Sequence, residues 1–358
     1  MIDFEKSLKN KKIFVTGNTG FTGSWVCFWL KSIGAETIGF SLPPNTSPAL
    51  FSSLNLEKEM KTIFGNICDY EFLKKSILNF QPDLILHLAA QSLVYKGYNQ
   101  PLQTFNTNVI GTANILEISR YLENLKGILC ITTDKVYKNN DSKNKFAETD
   151  ILGGVDPYSA SKSAAEIVIE SFAKSFFSDH KNLPVINVAR GGNIIGGGDW
   201  SKNRLIPDYV RSVTSKKQLD IRSSLSIRPW QHVFDLISGY FLILTNILNG
   251  KIGEYAAWNL GPQENENYTV QNILDIILNK WQNHNIRFIE NPIKETQNLI
   301  LNSNKAKEYL NWDPAWSTRE SVENAVEWYK GFYNDPSSSI NLSLTQLNKW
   351  RNDNLLIK

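Results

Sequence analysis

The sequence predicts an α/β protein built on a doubly wound parallel sheet, followed by a smaller and more irregular C-terminal domain. Three observations predict it. Over residues 12–190, short apolar runs alternate with helical apolar patterns, as β–α units feeding a parallel sheet do. The first run passes through a glycine-rich turn, "TGNTGFTG" (16–23), straight into the first helical pattern. After Arg190 the texture shifts to Gly-rich loops, Trp/Pro clusters and short helical stretches.

The elements follow in order. "KIFVTG" (12–17) is a strand running into a glycine, and "TGSWVCFWLKSIG" (22–34) is a helix that stops at Gly34. "ETIGF" (36–40) and "MKTIFGN" (60–66) are the second and third strands. "DYEFLKKSILNF" (69–80) is an amphipathic helix, and "PDLILHLAA" (82–90) is the fourth strand. A long helix is expected over about 101–122. "GILCI" (127–131) is a fifth strand, apolar throughout because both faces of a parallel sheet are covered. "DPYSASKSAAEIVIESFAKSF" (156–176) is a helix with Pro157 near its start, where proline is tolerated. "LPVINVAR" (183–190) is the sixth strand. Residues 1–190 thus read as one domain and 191–358 mainly as a second, some of whose segments return to the first. The tail from Asn334 is expected to be partly mobile.

Composition excludes several classes. The chain has 358 residues, 42% hydrophobic and 20% charged, with net charge +3. There is no Lys/Arg block of the kind nucleic-acid binders carry. No apolar run approaches the roughly 20 residues of a membrane helix; "LISGYFLILTNIL" (236–248) reads as a buried helix. "MIDFEKSLKNKK" lacks the apolar segment of a signal peptide, so a cytoplasmic protein is expected. Cys27, Cys68 and Cys130 are widely spaced and read as buried free thiols. His87, His180, His232 and His284 show no metal-ligand spacing, and no metal is expected.

The glycine turn carries the first chemistry. Gly17, Gly20 and Gly23 allow a tight turn and close approach of backbone N–H groups to a pyrophosphate, with a helix N-terminus behind them. The spacing is G-x-x-G-x-x-G. The second strand ends "GFSLPP", without the acidic residue that commonly grips an adenosine ribose and without an arginine for a 2′-phosphate. NAD is favoured over NADP. Ser41 either bonds a ribose hydroxyl or serves the turn.

The second piece of chemistry ends the fifth strand. Thr132, Thr133, Asp134 and Lys135 place two hydroxyls, a carboxylate and an ammonium in a row. Taken alone they read as a solvated loop start. One connection later, "YSASK" sets Tyr158 and Lys162 at i, i+4, on one helix face. An ammonium beside a phenol favours phenolate, which can take a proton from a hydroxyl.

Together "TGNTGFTG", "HLAAQ" (87–91), "NTNVIGT" (106–112), "TTDK" (132–135) and "YSASK" resemble the extended short-chain dehydrogenase/reductases, with their Rossmann-type sheet and smaller substrate-binding domain. Within that family "GFTGSW" (20–25), "TTDKVYKN" (132–139), "RGGNIIGGGDWSKNRLIPD" (190–208) and "IRPWQHVFD" (227–235) resemble the branch of sugar-nucleotide 4,6-dehydratases that acts on CDP-glucose. The resemblance implies a net redox-neutral dehydration with one bound NAD: oxidation at C4, loss of water across C5 and C6, and return of the hydride to C6. It implies that Tyr158, assisted by Lys162, removes the C4 hydroxyl proton while the C4 hydride reduces NAD, that Thr133 polarises the C4 oxygen and that Asp134 protonates the departing C6 hydroxyl. Lys135 stands where dTDP-glucose relatives carry a glutamate base, and acts either as a neutral base or as a charged stabiliser of the enolate.

The resemblance further implies that Gly17, Thr19, Gly20, Phe21, Thr22, Ser41, Asn66, Ile67, Leu88, Ala89, Ala90 and Asn108 join Tyr158 and Lys162 around NAD. Gln91, Asn193, Arg204, Leu205, Arg228 and His232 would meet the nucleotide sugar. Arg228 reads alternatively as a fold-stabilising ion pair, Trp200 and Trp230 as core, and His87 as a packed histidine. Two departures from the family pattern stand out: Asn66 for an aspartate and Thr22 for a lysine. A homodimer is implied, paired through helices 101–122 and 156–176, with a place in deoxysugar and O-antigen synthesis. The rival readings are a 4-epimerase, a dehydratase for another nucleotide, and a catalytically silent NAD-binding protein.

Overall fold

The computed structural model describes residues 2–141, 144–178, 183–283, 285–290 and 296–357; His180 and His284 lie outside them. Strands β1 (Lys12–Thr16), β2 (Glu36–Ser41), β3 (Lys61–Phe64), β4 (Leu84–His87), β5 (Gly127–Ile131) and β6 (Val185–Gly191) fall where the apolar runs predicted them. Short strands β7 (Asn193–Ile195), β8 (Leu219–Ile221) and β9 (Trp230–His232) follow, then β10 (Ala256–Leu260) and β11 (Ile286–Phe288). The main sheet has seven strands in the order β10-β6-β5-β4-β1-β2-β3, all parallel. Strand order reverses between β1 and β4, and ligands of such sheets gather at the carboxyl ends beside that reversal. β10 comes from beyond Arg190, so the later half of the chain completes the sheet of the first.

Side-chain alternation along the strands separates two cores. Ile13, Val15, Leu84, Leu86, Leu129 and Ala189 face one way, toward the helices Phe21–Ser32 and Val233–Leu248. Phe14, Ile85, Ile128, Cys130, Ile186 and Val188 face the other, toward the helices Tyr70–Phe80, Gly111–Ser119 and Pro157–Phe176. The helix Val233–Leu248 runs antiparallel to the strands. Its Leu236 abuts Gly191 at the carboxyl end of β6, and its Ile247 abuts Gly127 at the start of β5.

Three expectations are corrected. The tail from Asn334 is a packed helix, Ser339–Ile357, with Leu347 and Trp350 fully buried. Trp350 sits 5.0 Å from Trp29, ring to ring, and the Arg351 Nε donates to the buried Glu5 carboxylate at 2.7 Å. The helix expected over 101–122 is Pro101–Phe105 and Gly111–Ser119 joined by a π-helical turn, Asn106–Ile110. Cys68 is half-buried, whereas Cys27 and Cys130 are buried. No helix among the described residues is long and apolar enough to cross a membrane.

Candidate active site

A cleft of about 670 Å³ opens along the carboxyl ends of the sheet, bordered by the glycine turn and by the segments from β7 to β9. The glycine turn forms one end of it. Gly17 has φ 75°, and a Cβ there would meet the Ala89 backbone N at 2.8 Å, so only glycine fits. Gly20 caps the helix Phe21–Ser32 without a side chain, which leaves the helix N-terminus facing the cleft. Thr19 Oγ1 donates to the Leu42 carbonyl at 2.8 Å and therefore accepts from Ser41 Oγ at 2.8 Å. Ser41 thus serves the turn, and its own oxygen still has lone pairs for a ligand hydroxyl. Phe21, Thr22, Asn66, Ile67, Leu88, Ala89 and Ala90 also line this end. The Asn66 side-chain oxygen Oδ1 accepts from the Cys68 N–H at 3.0 Å.

Behind this wall runs a closed chain of hydrogen bonds. The Ala89 N–H donates to Thr16 Oγ1 (3.1 Å), whose hydroxyl then donates to His87 Nδ1 (2.7 Å). His87 Nε2 contacts Thr112 Oγ1 at 3.0 Å, and Thr112 donates onward to the Asn108 carbonyl at 2.7 Å. Thr112 must therefore accept from His87, which assigns the proton to Nε2. Burial, aided by the Lys162 ammonium, pushes the His87 pKa down to about 3, so the ring is neutral. Asn108, within the π-helical turn, clasps both backbone groups of Gln91 at 2.8 and 3.1 Å and donates to Ser161 Oγ at 2.8 Å. Ser161 in turn bonds the Tyr158 carbonyl at 2.7 Å.

The residues after β5 meet the helix Pro157–Phe176 at the cleft floor. Asp156 caps that helix through the N–H groups of Tyr158 and Ser159. Lys162 Nζ donates to the Ile131 carbonyl at 2.9 Å. Burial lowers its pKa to about 8, against the pull of Cys130 and the Glu166 carboxylate. The Tyr158 hydroxyl lies beside Thr133. Burial raises its pKa to about 12, so in the unliganded protein desolvation outweighs the lowering expected from Lys162. Thr133 Oγ1 donates to Asp134 Oδ1 at 2.8 Å, while Asp134 Oδ2 is buried and finds no partner among the described residues. Burial raises the Asp134 pKa, opposed by Lys135, Thr133 and Arg228. Lys135 lines the cleft beside it.

Gln91, Asn193, Arg204, Leu205 and Arg228 all line the cleft. Arg204 pairs with Asp199 at 2.7 Å, and the Arg228 guanidinium donates to the carbonyls of Ile227 and Gln297 at 2.9 and 3.1 Å. Trp200 and Trp230 both border the cleft and pack into the core. Two expected contacts do not reach it. Asn108 lies behind the wall because its amide is committed to Gln91 and Ser161. His232 is fully buried among Phe234 and Trp316, ring centroids 4.7 and 4.6 Å away, and its Nδ1 accepts from the Phe234 N–H.

Two features escaped the sequence reading. Glu166, two helical turns beyond Tyr158, is fully buried. It accepts from Thr132 Oγ1 at 2.5 Å and pairs with Arg190 at 2.5–3.1 Å. Its i+4 spacing from Lys162 was a usable signal. Tyr240, on the apolar helix Val233–Leu248, also lines the cleft.

Asp134 generates a stability prediction. Its folded pKa is raised, so its contribution to stability is fully present below its unfolded pKa and is lost as pH rises through the folded value. At pH 7.5 an amide, neutral and of the same shape, escapes that loss. Asp134→Asn is therefore expected to melt no lower than wild type at pH 7.5, while losing whatever proton donation the site performs. A melting temperature lower by more than about 4 °C, roughly 3 kcal/mol at this size, would contradict the assignment of a destabilised buried carboxyl.

The pattern of the family described as GDP-mannose 4,6 dehydratase matches residues 14–325. The CDP-glucose 4,6-dehydratase of Salmonella typhimurium is 39% identical over 330 residues, covering 90% of this chain and 92% of that protein. Among solved structures, the dTDP-glucose 4,6-dehydratase of Bacillus anthracis, determined in complex with NAD, is 25% identical. It superposes with a TM-score of 0.74 over 89% of this chain and 96% of its own. An epimerase of Methanothermobacter thermautotrophicus shares the fold, with a TM-score of 0.81 at 23% identity over 94% of this chain and 97% of its own. With that family matched from β1 to the penultimate long helix, and a curated relative so similar along nearly its whole length, the chain belongs to the GDP-mannose 4,6-dehydratase family of nucleotide-sugar enzymes.

Proposed function

We propose that the protein is a 4,6-dehydratase that converts CDP-glucose to CDP-4-keto-6-deoxyglucose with NAD as resident cofactor. The observation that carries the reading is Asp134: a buried carboxyl held toward its protonated form, one oxygen unpartnered, beside Thr133 and Tyr158. Removal of the C6 hydroxyl needs such an acid, and a 4-epimerase does not. The similarity to the Salmonella enzyme supports CDP-glucose as the substrate.

The Gly17 turn, Gly20 helix end and Ser41 suit a dinucleotide, because the turn brings a helix N-terminus, bare of any capping side chain, to face the cleft. When bound, NAD supplies the two-electron acceptor and donor that leaves the reaction redox-neutral. The chain's own groups do the rest. Tyr158 accepts the C4 hydroxyl proton, with the Lys162 ammonium favouring its phenolate. Thr133 bonds the C4 oxygen and polarises the ketone, which acidifies the C5 hydrogen. Asp134 gives its proton to the C6 hydroxyl, which leaves as water, and Lys135 receives the C5 proton or stabilises the enolate charge. Arg204 and Arg228 suit the diphosphate, since a guanidinium bonds two oxygens at once, with Gln91, Asn193 and Leu205 beside the sugar. In this reading residues 1–190 carry mainly NAD and 191–358 mainly the nucleotide sugar.

The same reading implies a cytoplasmic homodimer. Leu102, Phe105, Ile110, Ile167 and Phe176, all exposed on the helices at 101–119 and 157–176, support a shared helical interface. Light scattering at micromolar concentration is expected to give twice the chain mass; a monomer would refute the dimer.

The activity is tested by incubating the protein with CDP-glucose, dTDP-glucose, UDP-glucose and GDP-mannose and scoring the alkali absorbance of 4-keto product. CDP-glucose is expected to react at least ~10-fold faster than the others. Lys135→Met, run alongside, is expected to lower product formation about 10²–10⁴-fold, and partial recovery in Lys135→Glu would identify the lysine as base. No product from CDP-glucose, or a faster reaction with another nucleotide, would overturn the reading.

A further inference from the structure

Buried side-chain atoms without a hydrogen-bond partner are rare in folded proteins, and each asks for a reason. Among the described residues nine such atoms occur, and two of them belong to residues that line the cleft: Asp134 Oδ2 and the Tyr240 hydroxyl. The first is the proposed acid. The second has no role in the chemistry above. Tyr240 is fully buried, yet it forms part of the cleft floor.

The fold explains how a core helix reaches the cleft. The helix Val233–Leu248 has its N-terminus at the carboxyl ends of the strands, with Leu236 against Gly191 and Val233 against Gly196. Side chains on a helix lean toward its N-terminus. Tyr240, one turn beyond Leu236, therefore aims its phenol up toward the strand ends. Burial, with Tyr158 nearby, raises its pKa, so it remains a neutral donor.

Which ligand it serves follows from the faces of the sheet. Tyr158 and Lys162 approach the ends of β5 and β6 from the face packed with the helices Tyr70–Phe80 and Gly111–Ser119. Tyr240 approaches from the opposite face. There its helix packs beside Phe21–Ser32, the helix of the glycine turn, through Phe234 against Trp25 and Trp29. A dinucleotide held with its pyrophosphate at that helix N-terminus would have Tyr158 on one side of the cleft floor and Tyr240 on the other. We propose that the Tyr240 hydroxyl hydrogen-bonds the carboxamide of the bound nicotinamide and thereby sets the ring's orientation at the cleft floor. The carboxamide offers both an acceptor oxygen and N–H donors to a phenol. The proposal rests on NAD as the cofactor.

Tyr240→Phe tests it, since it removes one oxygen and keeps the shape. NAD binding, followed by tryptophan fluorescence, is expected to weaken about 3- to 10-fold, the usual worth of one hydrogen bond. Binding of CDP alone should be unchanged. In the absence of NAD the variant should melt at or above the wild-type temperature, because an unsatisfied buried hydroxyl has been removed; a residue with a purely structural role would lower it. Equal NAD affinity in both proteins would overturn the proposal, as would weaker CDP binding with NAD affinity intact. Wild-type protein that takes up no NAD would overturn the cofactor reading itself, a result distinct from equal binding by the two proteins.

Discussion

One hydrogen bond positions the reactive groups: Lys162 Nζ to the Ile131 carbonyl, 2.9 Å long. It ties the helix Pro157–Phe176 to the last residue of β5, and so brings Tyr158 to Thr133. An ammonium in so dry a place is costly, and its surroundings are arranged around that cost. Glu166, one turn along the same helix, supplies a carboxylate, and Arg190 at the end of β6 neutralises the carboxylate in turn. The pair is buried on both sides, so removing either partner would strand the other; breaking such pairs typically costs about 3–5 kcal/mol. Arg190 also donates to Tyr137 and to the Glu148 carbonyl, which extends the same network toward β10 through Asn259.

A second constraint couples the two ends of the cleft. From Ala89 through Thr16, His87, Thr112, Asn108 and Ser161 to the Tyr158 carbonyl, every hydrogen has one acceptor. The π-helical turn at Asn106–Ile110 carries Asn108, the middle of this chain of bonds. The Asn108 side chain projects from this turn and its amide grips both backbone groups of Gln91. The backbone that would face a dinucleotide and the helix that carries the tyrosine are thus held by one satisfied network, and such networks hold a single geometry.

The strands were legible because a sheet buried on both faces demands apolar runs, and the run at 127–131 says so on inspection. The glycine turn was legible because Gly17 fills a place where no Cβ fits. Thr133, Asp134, Lys135, Tyr158 and Lys162 stood out through motif and spacing, and the fold brings them to one floor. What failed to show were pairings across long separations. Trp350 needs Trp29, more than three hundred residues away, so its helix looked like a polar tail. Asn108 looked like a ligand contact because an amide's partners cannot be read from its neighbours in sequence. His232 lies two residues past the cleft-lining Trp230 and four past Arg228, and only the packing of Trp316 reveals that it is core. Tyr240 was hidden inside an apolar run, where one hydroxyl carries no periodic signal.

In the proposed reaction, oxidation at C4 and reduction at C6 take place within one undisturbed cleft, with elimination between them. CDP-glucose carrying deuterium at C4, turned over in ordinary water, tests it directly by mass spectrometry and NMR of the product. The proposed reaction leaves deuterium at C6 of the 4-keto-6-deoxy product and releases no net NADH. Deuterium lost to solvent, or recovered at C4 of an epimerised sugar, would contradict it.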